Sequence, residues 1–259
     1  MGRYADSTGN ETLSGPNVPI APDGFAQARA LFWKDVRAEL RTKVAVSAVG
    51  IFAFSALLLL GLATQTLKEV TTPDPLTGAP HPAWDAVSKM GLLWILLCFA
   101  AFTGLAHSFV QEEETGTVTA LRLSMLPGAV YAGKLAFNLA LIFAVALLVT
   151  PVYIVMTAMP TGPILIFVLV MFSGCVGLAG AATVLAALAA KARSTGALFS
   201  ALGLPFMVVF LILLLNAANA LFTADAPAVR LVRDVGGLFS YGVLLIAVSA
   251  LVFGLIWEE

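Results

Sequence analysis

Few residues in this 259-residue sequence have types and spacing that suit chemistry. Glu112, Glu113 and Glu114 stand in direct succession, a local excess of negative charge. His81 lies three residues before Trp84; a histidine beside an aromatic ring can hold a haem iron and cover its face, but a solvated loop histidine is the commoner reading. His107 and Ser108 are the nearest approach to a base and a nucleophile. Adjacent helical residues point about 100° apart, so the two side chains diverge. Cys98 and Cys175 sit within apolar runs at no metal-ligating spacing and read as buried, inert thiols. Gly128 to Lys134 matches GxxxxGK, but Leu135 replaces the hydroxyl that would hold Mg²⁺, and no strand precedes the pattern. ATP therefore does not bind there, and Lys134 reads as an interfacial anchor whose stem lies along lipid while its ammonium reaches water.

The elements that must position these residues are long apolar helices. Six runs contain no charged residue: Val44 to Leu67, Met90 to Val110, Leu135 to Met159, Pro163 to Ala190, Ala197 to Phe222 and Gly236 to Trp257. Each exceeds the roughly 20 residues that span about 30 Å of hydrocarbon. With 60% hydrophobic and 11% charged residues, and a mean hydropathy of +0.97, the chain cannot coat a soluble globule of its size. The expected fold class is an all-α polytopic membrane protein of six transmembrane helices, one domain over 44–257. Spans without acids or bases disfavour a proton relay or an ion-coupled carrier. A net charge of -1 gives no general attraction to nucleic acid.

Residues 1–24 are polar and rich in Gly, Ser, Asn and Pro, and read as a disordered cytoplasmic tail rather than a secretory signal. Over 25–43, Lys34, Arg37 and Arg41 form a basic stripe opposite Phe25, Phe32, Val36 and Leu40. This predicts an amphipathic helix along the inner leaflet, with Trp33 at the interface and the basic side toward anionic lipid; a plain solvated helix is the alternative. Basic residues concentrate on the side holding the amino terminus, which places both termini in the cytoplasm. Outer loops then cover 68–89 and 223–235. The first carries Pro73, Pro75, Pro80 and Pro82, which exclude a regular helix.

The inner loop, 111–134, is the most specific polar segment. Three carboxylates would not face anionic inner-leaflet lipid, so they look toward a protein. After Gly116, the residues Val118, Leu121, Met125 and Leu126, with Arg122 among them, predict a short amphipathic helix. An acidic turn followed by such a helix suits a docking knob for a soluble partner; a solvated elbow is the alternative. Ser173, Gly177 and Ala181 recur every four residues, which suits close helix packing inside the bundle, with a dimer interface as the alternative. Pro151 and Pro205 predict kinks in the third and fifth spans.

The order FWKDVRAEL, two spans, EEETGT, LRLSMLPG, Lys134 and KARSTGALFSALGLPFMVV resembles the ABC-2 class of membrane permeases. Within that class it looks like CcmB, the haem exporter permease of cytochrome c maturation. Glu114, Gly116, Ser124 and Lys134 fall on that family's Glu, Gly, Ser and Lys, and Gly203-Leu204-Pro205 falls where it has Val-Leu-Pro. Thr115 replaces the usual Asp, and Met125 the usual Pro after Ser. The resemblance implies a non-enzymatic permease subunit of the bacterial inner membrane that binds no cofactor. ATP would sit on a CcmA-like ABC ATPase docked through Glu112 to Glu114, Gly116 and the segment to Met125. A CcmC-like membrane protein or a second copy of this chain would complete the assembly, with haem as cargo. An ABC-2 exporter of a lipid, glycan or drug, and a membrane assembly factor without transport, are the alternatives.

Overall fold

The computed structural model describes residues 23–66, 71–73, 80–82, 85–115, 125–192, 195–223 and 226–258. Within these, seven helices follow one another: α1 (Gly24–Thr42), α2 (Val44–Thr66), α3 (Ala86–Thr115), α4 (Pro127–Thr157), α5 (Ile164–Ala192), α6 (Thr195–Phe222) and α7 (Ala228–Glu258). Between α2 and α3, β1 (Thr71–Pro73) pairs antiparallel with β2 (Pro80–Pro82), with Thr72 opposite His81. The proline-rich segment thus makes a short ladder where the sequence predicts only turns. The predicted tail lies outside the described residues, apart from Asp23 and Gly24.

Helices α2, α4, α5, α6 and α7 are each long and apolar enough to cross a bilayer. The sixth span is α3, whose apolar segment Ala86–Ala101 continues into a helix of 30 residues, about 45 Å long at 1.5 Å per residue. The chain is therefore an all-α multi-pass membrane protein with six spans. Two boundaries shift from expectation. α4 begins at Pro127, because proline at the first helical position loses no needed hydrogen bond and the following GAVYAGK continues the helix. α7 begins at Ala228, so most of the predicted outer loop 223–235 is helical. The helical backbone runs on through Pro151 and Pro205.

The core is made chiefly by α3 and α5. Met90, Leu93, Trp94 and Cys98 of α3 are fully buried, against Val170, Leu178 and Ala182 of α5. Trp94 meets Phe210 of α6 edge-on, with ring centroids 5.5 Å apart. It also lies over Gly174, where an added Cβ would come within 2.3 Å of the indole. The most extensive helix contact joins α5 to α7. There the backbones cross at Gly177, Gly180 and Gly242: a Cβ on Gly242 would lie 2.8 Å from the Gly177 nitrogen, and one on Gly180 2.9 Å from the Gly242 oxygen. Without side chains at the crossing, dispersion contacts act between the backbones themselves, the packing that association in lipid requires.

Many large apolar side chains point outward from the spans, among them Phe54, Leu59, Leu148, Leu165 and Leu251. Water would penalise such a surface, and hydrocarbon does not.

Candidate functional site

The polar contacts that tie α1 to the bundle gather at one end, where α1, the start of α4 and the second half of α7 meet; at the other end Arg230 and Arg233 pair with Asp234 of α7. A single residue, Lys43, joins α1 to α2; it adopts a left-handed backbone, φ 55°, and its N–H donates to the Glu39 carbonyl. That conformation turns the chain sharply from a helix beside the bundle into a span.

α1 lies across α4 at Gly133. A Cβ on Gly133 would meet the Ala28 carbonyl oxygen at 2.9 Å and the Leu31 Cβ at 3.1 Å, so the absent side chain sets how closely the helices approach. At this crossing α1 presents Gln27, Leu31 and Asp35, all buried and roughly one turn apart. Lys134, the next residue of α4, places its Nζ 2.9 Å from Asp35 Oδ2, and the two side chains are only 13% and 9% exposed. The Lys34 Nζ lies 3.2 Å from Asp35 Oδ1. One carboxylate thus bridges two ammonium groups, one on its own helix and one about a hundred residues along the chain. Gln27 supplies a second tie, its Oε1 accepting the Leu126 N–H at 2.9 Å just before α4 begins.

On the other side of α4, the Tyr131 hydroxyl donates to the Ile246 carbonyl at 2.8 Å and accepts from the Ser249 hydroxyl at 2.8 Å. Its ring tilts against Phe253 at 5.7 Å. About two turns further into the bundle, Asn138 donates to Thr183 of α5 at 3.1 Å. Within two turns α4 is bonded to α1, α7 and α5, so α4 cannot shift without disturbing all three.

The expected docking residues divide. Glu112, Glu113 and Glu114 belong to the last turn of α3, so the acidic segment is helical and not a turn; nothing is described of their side chains. The helix holds them because its backbone pairing continues to Thr115, though carboxylates at a helix carboxyl end oppose its dipole. Gly116, Val118, Leu121 and Arg122 lie outside the described residues. Met125 is half-buried and precedes α4 in a bend, and Leu126 is extended, so the predicted amphipathic helix does not reach them.

Lys134 departs from expectation. Its ammonium does not snorkel to water; it is held against Asp35, because α1 covers the position where an uncovered interfacial lysine would meet solvent.

On α1, Lys34, Arg37 and Arg41 are exposed, as are Phe25 at 80%, Trp33 at 51% and Leu40 at 66%. Phe32 is half-buried, edge-on to Trp33 at 5.6 Å. The helix has three faces where the periodicity suggested two, and the face that packs on the bundle is neither the basic stripe nor the apolar one. Ser173, Gly177 and Ala181 are all buried inside the bundle. His81 sits on β2 at the opposite end, and Trp84 lies outside the described residues. Among the described residues no cluster of His, Cys, Asp or Glu could hold a metal ion.

Asp35, Gln27 and Tyr131 were not singled out by sequence. A partial signal existed, in that Gly133-Lys134 places a small residue beside a charged one within the first turns of a span, which marks a site of close approach with a partner for the charge.

A family model described as ABC-2 type transporter matches residues 26–214, from the first turn of α1 into α6. No curated protein and no solved structure matches the chain.

Proposed function

We propose a function from one premise: this chain belongs to the ABC-2 type transporter family. It is a transmembrane permease subunit of an ABC transporter, and the family implies an ABC ATPase as its partner. We read the end of the bundle that carries α1 as the cytoplasmic, energy-receiving end, with both termini on that side of a bacterial inner membrane. The ATPase grips the segment from Glu112 to Met125. The observation that carries this reading is the double tie of α1 to α4, through Gln27 to Leu126 and Asp35 to Lys134.

Mechanically, a push on the segment between α3 and α4 arrives at Leu126, which α1 holds, and at Pro127, which opens α4. α1 then follows α4 about the Lys43 elbow, the ionic and hydrogen-bonded ties keeping the two in contact as the angle between them changes. The hydrogen bonds of Tyr131 and Asn138 pass the displacement to α7 and α5 as rigid-body motion of packed helices. This chain contributes leverage, and nucleotide chemistry stays on its partner.

For the cargo we propose haem, or the release of a haem-loaded chaperone, on the CcmB-like placement of Glu114, Gly116, Ser124 and Lys134. A CcmA-like ATPase and a CcmC-like membrane protein would then be the partners, and a second copy of the chain is the other route to a complete permease.

Replacing Glu112, Glu113 and Glu114 together by Lys is expected to abolish co-purification of the ATPase while membrane insertion and extraction stay normal. Unchanged co-purification would refute the docking role.

A further inference from the structure

The face of α1 turned away from α4 is a shallow groove of ≈ 600 Å³ lined by Ala26, Arg29, Ala30, Trp33, Lys34 and Arg37. Arg29, Trp33 and Arg37 follow one another at intervals of four, a line of about 12 Å along the helix. Ala26 and Ala30 leave room beside that line. Lys34 is engaged with Asp35. Among the described residues, the guanidinium groups of Arg29 and Arg37 have neither an ion-pair nor a hydrogen-bond partner.

We infer that this groove binds the headgroup of an anionic glycerophospholipid, with Arg29 and Arg37 on its phosphodiester and Trp33 at the glycerol level. The inference rests on reading α1 as an interfacial helix and deepens it by naming the lipid chemistry. Guanidinium is the cation that pairs in bidentate geometry with phosphate oxygens. An indole half out of the fold between two such cations suits the boundary between headgroup and acyl chain. The surroundings select lipid over an acidic peptide. Phe25 and Leu40, on the same side of the helix, expose large apolar surfaces that acyl chains would cover and a charged peptide would not. The one-residue link to α2 also keeps α1 within reach of the bilayer surface.

The test uses the full chain in mild detergent, without nucleotide, and counts bound lipid by native mass spectrometry at physiological ionic strength. Phosphatidylglycerol is expected to be retained at least tenfold more strongly than phosphatidylcholine. R29Q/R37Q should erase that preference, and R29K/R37K should keep most of it, since like-charged replacement preserves attraction while losing bidentate geometry. Matching elution profiles and helix content would show all three forms folded. Equal retention of the two lipids by the unaltered chain, or an undiminished preference in R29Q/R37Q, overturns the inference. So does a Glu-rich peptide that displaces phosphatidylglycerol from the unaltered chain but does not bind R29Q/R37Q, because the groove would then be a protein dock. Lipid retention without nucleotide does not depend on transport. If the permease reading alone were wrong, the preference would persist while no ATPase activity depended on the chain.

Discussion

The middle of the bundle and the end that carries α1 are held together by different physics. In the middle, α5 and α7 touch backbone to backbone at Gly177, Gly180 and Gly242, and Trp94 fills the space over Gly174. No charge takes part. At the α1 end, one helix is fastened to α4 by a carboxylate between two ammonium groups and by a glutamine on a backbone amide. Close packing is bistable at best and resists small displacement. Ionic and hydrogen-bonded ties tolerate a change of angle and can be remade. A subunit that receives force at one end and must not come apart in the middle needs both.

The sharpest way to break the contrast is to put a side chain into the middle. Gly242→Leu places a Cβ 2.8 Å from the Gly177 nitrogen and 2.9 Å from its Cα, and backbone cannot rotate out of the way as a side chain can. The expected outcome is loss of monodisperse protein after extraction. On the same helix, Gly236 and Gly254 have nothing within 4 Å of an added Cβ. Gly236→Ala and Gly254→Ala should melt at or above the unaltered protein, since alanine is favoured over glycine in a helix by about 1 kcal/mol. A Gly242→Leu protein that melts normally would show that the crossing is loose and the contrast false.

The next effect belongs to the α1 end. Asp35→Ala leaves Lys134 charged and covered by α1, with an expected loss of about 3 kcal/mol, seen as a lowered melting temperature. Replacing both partners, Asp35→Leu with Lys134→Met, removes the ammonium that lost the Asp35 carboxylate and should recover most of that stability. If the ion pair serves as a remakeable tie, ATPase activity of the assembled transporter should stay low in the double variant although its melting is restored. Recovery of activity together with stability would reduce the pair to a structural fixture.

How much of this was legible in the sequence follows from the same contrast. The spans were legible because hydrocarbon imposes one crude rule, a length of chain without charge, and all six runs obey it. The glycine spacing in α5 was legible as packing, yet its partner Gly242 was not, because one glycine of α7 looks like any other until the crossing point is known. At the α1 end, periodicity separated basic from apolar faces and missed the third face, since Gln27, Leu31 and Asp35 differ in polarity and form no stripe. Lys134 was misread for a related reason. A lysine at the start of a span ordinarily reaches water, and only the fold brings α1 over it. Helix boundaries moved where local chemistry outweighed hydropathy, at Pro127 and at Ala228. The docking segment remains a proposal, because its residues from Gly116 to Ser124 lie outside the described ones.

The smallest effect tests the border between the two regions. Tyr131 lies three residues before Lys134, so it shares the charged end of α4, yet its hydroxyl reaches the backbone of α7. Tyr131→Phe keeps the ring against Phe253 and deletes only the hydroxyl, leaving the Ile246 carbonyl with its own helical partner and Ser249 able to bond back to its own helix. Hydrogen bonds between membrane helices are worth about 0.6 kcal/mol on average, because the groups find other partners when one is lost. The variant should therefore melt within a few degrees of the unaltered protein, well above Asp35→Ala. Its larger consequence should be in coupling, with lower transport per ATP hydrolysed, since the bond links the helix that receives force to the helix packed through the middle. A Tyr131→Phe protein as unstable as Asp35→Ala would mean that α4 and α7 are held by polar bonds here too, and the division between a packed middle and a tied end would have to be redrawn.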